Sequence, residues 1–486
     1  MLKNIQMTTL TPFTYDYATF LQRIIELNIN DPRCKSMVVY PLFIVYAIHI
    51  MAKMAGCNNA TAVKLWWEQN NAELQKLFYG LDDVVPSEQT IRRLITCANN
   101  DEILKFLQDY FTQYRFNNSA ASGAVPLIER DVISADGQNI RATRLTKEEN
   151  DARKSSGYDL VSLYSAKYGF TLSQRTVDKK NQEAKAIVEM LDELNLRNCI
   201  LAWDAINTRV STLEAVIKAE ADFVVSLKSN QGTLFEEVSD VFHFVDVDRY
   251  KFEILTSARV STELGRIESK EICILNADDA LSSAMKKKWS NVKGIIRVRT
   301  NRVYKSSNVG VDEIEDRYFI TSITPDGLDE NFANTMQDII LARWKIESRH
   351  WVIDVAFCQD RLPLRNKDYI ANVTVHTKIA ANVLSYIREH TPLYNGKPRS
   401  FECLQQIATN AKFAFMFLEA FFKDDMSKIE NDERFIGIFY KPPKPTGNDV
   451  PDNLKENGFD ALTEDDSPLS LFAKNRRKIK SKRIDR

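Results

Sequence analysis

Between residues 132 and 227, short apolar runs alternate with stretches of helical period in an order that few folds accept. The runs at 132–136, 158–168 and 170–177 read as strands, the last two joined by a turn at Gly169. Residues 181–194 carry helical periodicity, 199–204 a strand, 211–221 a helix and 222–227 another strand. Two of the strands close on an acid. Asp136 follows Val132-Ile133-Ser134-Ala135, and Asp204 follows Cys199-Ile200-Leu201-Ala202-Trp203. A buried carboxylate must be paired or bind metal, so these positions mark sites or turns rather than core.

Three strands, helix, strand, helix, strand is the order of a ribonuclease-H-like α/β domain. In that fold one carboxylate lies on the first strand and a second at the end of the fourth, where Asp136 and Asp204 fall. A third acid is expected from a helix packed back on the sheet. Arg343-Trp344-Lys345-Ile346-Glu347 offers one, inside a stretch at 332–355 that reads as a single helix. A carboxylate among basic and aromatic residues is odd for a core helix and sensible beside a nucleic-acid backbone. Between the two halves, runs at 251–260, 269–275, 294–300 and 317–323 predict a β-rich insertion at 245–325, and 126–390 becomes the whole catalytic domain. The helix expected at 370–387 would pack beside 332–355. With 66 acidic residues many triples exist, so turn-capping aspartates and a surface glutamate remain the plainer alternative.

The flanks are of other kinds. Residues 1–120 predict a small helical domain, in which Ser87 caps a turn carrying Arg92 and Arg93, suited to DNA or to helix packing. The apolar stretch at 37–52 is shorter than the ~20 residues needed to span a bilayer and contains Pro41 and His49, so it reads as a buried helix. Residues 391–440 form a carboxy-terminal helical segment. A linker opens at 441, and 441–486 reads as a disordered tail, first acidic, then with eight basic residues among the last thirteen. No signal peptide is visible at the start. Seven cysteines without a C-x-x-C pair argue for reduced thiols in the cytoplasm, and against a disulfide framework or a zinc site.

A net charge of -1 gives no bulk pointer to nucleic acid, so any contact must come from local patches. Lys286 to Lys305 is a basic stretch free of acids, in which Arg297 and Arg299 alternate with apolar residues and share one strand face. That face is either solvated or set against phosphates. Lys228-Ser229-Asn230-Gln231 is either a polar loop or a place where Lys228 neutralises phosphate and the two amides bond bases. Arg343, four residues before Glu347, would grip a phosphate or pair with Glu347. Trp344 and Trp351, seven apart, read as core rather than base-stacking residues.

Taken in order, the motifs resemble bacterial insertion-sequence transposases of the H-repeat-associated (IS-As type) DDE group. The resemblance runs from about Asp31 to Ile387. It includes Asp31-Pro32-Arg33, Asp136-Gly137-Gln138-Asn139-Ile140-Arg141, Asp204-Ala205, and Asp222 with Lys228-Ser229-Asn230-Gln231. It continues through Gly265-Arg266-Ile267-Glu268, Trp344-Lys345-Ile346-Glu347, His350-Trp351 with Asp354, Asp360, Arg365, Asn372 and Asn382. Gln138 stands where the family usually has lysine, Ser348 replaces asparagine, and Leu264 replaces histidine. Glu347 and His350 are one residue closer than the family pattern.

The resemblance implies a DNA transposase in which Asp136, Asp204 and Glu347 hold two Mg2+ ions, with Mn2+ able to substitute. Two such ions about 3.5–4 Å apart activate the attacking oxygen and stabilise the leaving one. DNA is then the partner, both element ends and target, bound by a homo-oligomer with no part for a membrane. Two other classes stay open: a co-opted relative that binds DNA without cutting it, and a plain metal-dependent nuclease.

Overall fold

The computed structural model describes residues 38–435, with Asp31 and Arg33, apart from several breaks, the longest being 111–124, 144–156 and 305–312. Arg141, Leu264, Lys305, Arg365 and the tail at 441–486 lie outside the described residues. The chain divides into two units, Met1–Asp432 and Glu433–Arg486, and the first carries everything below.

The strands are β1 (Val132–Ile140), β2 (Tyr158–Ser165), β3 (Phe170–Val177), β4 (Ile200–Trp203), β5 (Asp222–Leu227), β6 (Leu255–Ser261), β7 (Arg266–Asn276), β8 (Gly294–Tyr304) and β9 (Glu313–Thr321). They form one nine-stranded mixed sheet in the order β3-β2-β1-β4-β5-β9-β8-β7-β6. β1, β4 and β5 are parallel neighbours, and every other pairing is antiparallel. All four residues of β4 are buried, as expected of a central parallel strand covered on both faces.

The strands expected as an insertion do not stand apart. β9 pairs along β5, from Val224 opposite Thr321 to Leu227 opposite Tyr318, and β8, β7 and β6 follow outward. Without β9 the backbone of β5 would be an open edge, which proteins cover or pair. One helix spans the join. In α7 (Glu330–Ala342), Phe332, Ala333, Met336, Ile339 and Ile340 fall at helical spacing and pack with Ile200, Ala202 and Val224 of the inner strands and Ile296, Val298 and Phe319 of the outer ones.

The other helices needed below are α1 (Leu42–Met54), α2 (Ala60–Leu77), α3 (Glu88–Thr96), α4 (Glu183–Glu193), α5 (Val210–Lys218), α6 (Thr233–Val247), α8 (Lys345–Val355) and α9 (Lys367–His390). The stretch at 332–355 is therefore not one helix. It breaks at Arg343-Trp344, and the amide of Trp344 bonds the carbonyl of Leu341 at 3.1 Å, a tight turn that re-aims α8 relative to α7.

α9 is the pillar of the molecule: every residue from Tyr369 to Ile387 is buried. Apolar side chains supply most of that surface, and several of its polar ones bond specific partners. Asn382 accepts from the Thr171 amide of β3 and donates to the same residue's carbonyl, both at 2.9 Å. Asn372 donates to the carbonyl of Ile95 in α3 at 2.8 Å. His376 meets His49 of α1 ring nitrogen to ring nitrogen at 2.9 Å. The amino-terminal helices thus pack on the same pillar as the sheet. The apolar helix α1 is buried along its length, and no described helix is long and apolar enough to cross a membrane.

Asn382→Leu keeps the branched heavy-atom skeleton but strips the Thr171 backbone of both partners. Each unsatisfied buried group costs about 1–3 kcal/mol, so the variant should lose more than about 2 kcal/mol of stability in a urea titration. A loss below about 0.5 kcal/mol, the range of ordinary surface changes, would contradict the pillar.

Candidate carboxylate site

The parallel pairing of β1 with β4 sets Ala135 opposite Trp203, so Asp136 and Asp204 are the next residues along the two neighbouring segments. β1 itself runs on to Ile140 because β2 continues to pair with it, Asp136 opposite Ser162. β4 stops at Trp203, which opens the sheet on that side of Asp136.

The Oδ1 of Asp136 accepts the Gly137 amide at 2.9 Å, and its Oδ2 lies 3.5 Å from His350 Nδ1 on α8. Burial pushes the Asp136 carboxyl up to about 6; Gly137 and Arg343 oppose this, while Glu347 and Glu183 add to it. Burial also holds His350 down to about 3, so its imidazole is neutral at ordinary pH. Asp204 behaves differently. Burial pushes its carboxyl up, but the bonds from Lys228 and the Ala205 amide outweigh that and bring it below the usual range. Lys228 Nζ sits 3.0 Å from one of its oxygens and 3.2 Å from the other.

Glu347 enters from the first turn of α8. It is half exposed, and Arg343 lies 3.9 Å away. The structure thus brings Asp136 and Asp204 side by side and sets Glu347 where its charge is felt at Asp136. It does not gather them into a ligand cluster: among the described residues no three His, Cys, Asp or Glu stand close enough to hold a metal ion. The donor chemistry still suits a hard divalent cation. Carboxylate oxygens are its preferred ligands, Asp136 sits in surplus negative charge, and Lys228 already occupies Asp204 as a cation.

Two residues here escaped the sequence. Glu183 opens α4 and is buried, its carboxylate accepting from Asn207 Nδ2 at 3.2 Å. A Cβ on Gly137 would come within 2.5 Å of a Glu183 oxygen, so a larger residue after Asp136 would move the Glu183 carboxylate. His350 was visible only as part of a motif.

Each residue expected at DNA has partners within the protein. Asn230 and Gln231 have backbone partners in this structure. Asn230 donates to the Ala205 carbonyl at 2.9 Å, and Gln231 to Ala205 at 2.7 Å and Thr208 at 3.2 Å. They hold the loop that follows Asp204. Arg297 and Arg299 share a face as expected, but it is not an open one. Helix α6 covers it and supplies Asp246, which bonds Arg297 and Arg299 at 2.9 Å each. Arg297 is only 4% exposed, and Arg299 is further held by Asp316 at 2.7 Å. Arg343 is mostly covered and lies 5.0 Å from the Trp344 ring, as does Arg317 of β9. The two tryptophans are not core: Trp344 is 37% exposed and Trp351 66%. α8 buries Ile346, Arg349 and Ile353 instead.

Beneath the carboxylates a polar network links β1 to the end of α8. Gln138 donates to Asp354 Oδ1 at 2.7 Å and accepts from Gln359 Nε2 at 3.3 Å. Lys378 of α9 lies within electrostatic reach of both Asp354 and Asp136.

The raised carboxyl has a sign that can be checked. Folded Asp136 binds its proton more tightly than in the unfolded chain, so its contribution to stability is lost as pH rises from 3.8 towards about 6. In the chelator-treated protein, Asp136→Asn should therefore melt above wild type at pH 8, with the advantage gone near pH 4. An advantage that grows on acidification would contradict the assignment.

The model described as "Transposase DDE domain" matches residues 128–383, more than half of the chain, and the model described as "DDE_Tnp_1-associated" matches residues 27–111. The "Putative transposase YncI" of Escherichia coli O157:H7 is 24% identical over 358 residues, 73% of this chain and 85% of that protein. The "H repeat-associated putative transposase YhhI" of Escherichia coli (strain K12) is 22% identical over 358 residues, 74% of this chain and 88% of that one. Among solved structures, a piggyBac transposase synaptic complex with hairpin DNA aligns with 94% of this chain and 85% of its own at 12% identity, with a TM-score of 0.33, too slight a likeness to bear on the fold.

Proposed function

The chain belongs to the transposase DDE domain family, as an insertion-sequence transposase of the H-repeat-associated kind, and we propose that it cuts DNA at the ends of its element and joins the freed strands to target DNA. The observation that supports this reading is the parallel pairing that ends at Ala135 opposite Trp203, after which Asp136 and Asp204 come next in their chains, with Glu347 of α8 close enough for its charge to act on Asp136. We read β1 to β5, in the order β3-β2-β1-β4-β5 with α4 and α5 in the crossovers, as a ribonuclease-H-like core. β6 to β9 extend that core.

Asp136, Asp204 and Glu347 would hold the divalent cations. When bound, such ions lower the pKa of an attacking water and stabilise the leaving oxygen. The chain's own residues do the rest. His350, neutral, stands beside Asp136, its Nδ1 3.5 Å from the carboxylate. Asn230 and Gln231 fix the loop at Ala205 and so the direction of Asp204. Lys228 guards Asp204 while the site is without cation or DNA; displaced from it, the ammonium is free to meet a phosphate. Arg343, already near both aspartates electrostatically and with its Nε unbonded, would take a phosphate oxygen in a forked contact that lysine cannot reproduce. No serine or tyrosine nucleophile is needed, because the freed 3′ hydroxyl itself attacks the target.

The test incubates purified protein with the DNA flanking its gene and Mg2+. Free 3′ hydroxyl ends and their transfer to a second DNA are expected, and Asp136→Asn should abolish both while DNA binding stays within about twofold. Cutting without any transfer would point to a plain nuclease, and binding without cutting to a co-opted DNA-binding relative. Arg343→Lys should fold and bind DNA but cut at least ten times more slowly. Cleavage at the wild-type rate by that variant would remove the phosphate grip.

A further inference from the structure

Helix α8 buries one face and bares another of an unusual kind. Trp344, just before its first residue, is followed by Glu347, Ser348, Trp351 and Val355 at three- and four-residue steps, so the five share one stripe. All five are exposed, Trp351 more than Trp344 or Val355. The buried residues, Ile346, Arg349 and Ile353, lie on the opposite side. A helix face turned to water is normally polar. Here the half-exposed carboxylate of Glu347 stands between two indoles instead.

The two rings differ in what they meet. The guanidiniums of Arg317 and Arg343 each lie 5.0 Å from the Trp344 ring, so that indole is already engaged. Trp351 has no ring, cation or hydrogen-bond partner among the described residues. Two features say what would cover it. An apolar protein surface docked on the stripe would bury the Glu347 carboxylate as well, a cost that nothing in such a surface offsets. The guanidiniums at one end of the stripe favour a polyanion. A ligand that is polyanionic and also presents flat apolar faces is DNA with a base out of its stack.

We propose that Trp351 is a base-stacking residue of the carboxylate site: its open indole takes one unpaired nucleobase of the DNA, while the phosphate beside that base lies at Glu347, one helical turn away. The proposal deepens the reading of Glu347 as a cation-binding group at DNA and rests on it. A base held there has left its partner, so the site would prefer DNA already unpaired at that place, where the cost of unpairing is least.

Binding of the full chain is read with Ca2+ in place of Mg2+, another hard cation that takes oxygen ligands. The DNA flanking the gene is made as a forked duplex with unpaired bases at its end, and as the same fork with abasic sugars in place of those bases. Wild type should bind the first about tenfold more tightly, within the range that one base stacked on an aromatic side chain contributes. Trp351→Ala should lose about that factor on the fork and bind the abasic fork within about twofold of wild type, with Trp351→Phe in between. The position is exposed, so both variants should fold. The comparison of the two forks with wild type needs no variant in any case.

Equal loss on both forks would make Trp351 a structural residue, and no loss on either an ordinary surface one; each overturns the proposal. Loss of self-association in Trp351→Ala, with fork binding intact, would assign the stripe to a second copy of the chain and overturn it too. Wild-type protein that binds no DNA in either form sinks the functional reading and this inference together. A preference for unpaired bases that depends on Trp351, without cutting once Mg2+ is supplied, supports this inference and sinks cleavage alone.

Discussion

The site depends first on one buried guanidinium. Arg349, two residues after Glu347, crosses from α8 to the pillar and bonds the Ala381 carbonyl at 3.2 Å, Ser385 Oγ at 2.7 Å and Asn382 Oδ1 at 2.6 Å. Burial pulls it down to about 10, still charged at neutral pH. A buried cation so bonded is costly to misplace, because each hydrogen bond to a charged group contributes about 1.5–3 kcal/mol. That cost fixes α8 more firmly than its modest apolar face could. Asn382 passes the constraint on to Thr171, so the helix bearing Glu347, the pillar and the edge of the sheet are tied by one chain of bonds.

On that frame the electrostatics of the two aspartates diverge. Asp204 is compensated in place by Lys228 and sits low. Asp136, on the next strand, is pushed up first by burial and further by two acids, Glu347 and Glu183, and its histidine neighbour is neutral. One member of the pair is quenched and the other is primed. A divalent cation entering here would relieve the surplus at Asp136 and compete with an ammonium at Asp204. Binding of metal and release of Lys228 are therefore one exchange in this account.

Much of this was legible in the sequence because it follows from local pattern. Continuous apolar runs such as Ile200-Leu201-Ala202-Trp203 have only one comfortable place, the middle of a parallel sheet, and an aspartate closing such a run must be served by something. What was not legible is what distant elements bring. Nothing in Ile296-Arg297-Val298-Arg299 says that α6 will lay Asp246 across it. The exposed tryptophans were misread because spacing identifies a face but not which face is buried; on α8 the buried one is set by Arg349 and its partners on α9. The break at Arg343-Trp344 has no proline or glycine to announce it. Glu183 comes to the site from α4, against Gly137, which no local pattern announces.

The central claim is that Asp136, Asp204 and Glu347 share a divalent cation. Crystals of the chain soaked in Mn2+ and measured at the manganese absorption edge test it most directly. The account expects an anomalous peak about 2.0–2.6 Å from carboxylate oxygens of both Asp136 and Asp204, with Lys228 withdrawn and Glu347 drawn in. Strong peaks elsewhere, with Lys228 still seated on Asp204, would contradict it.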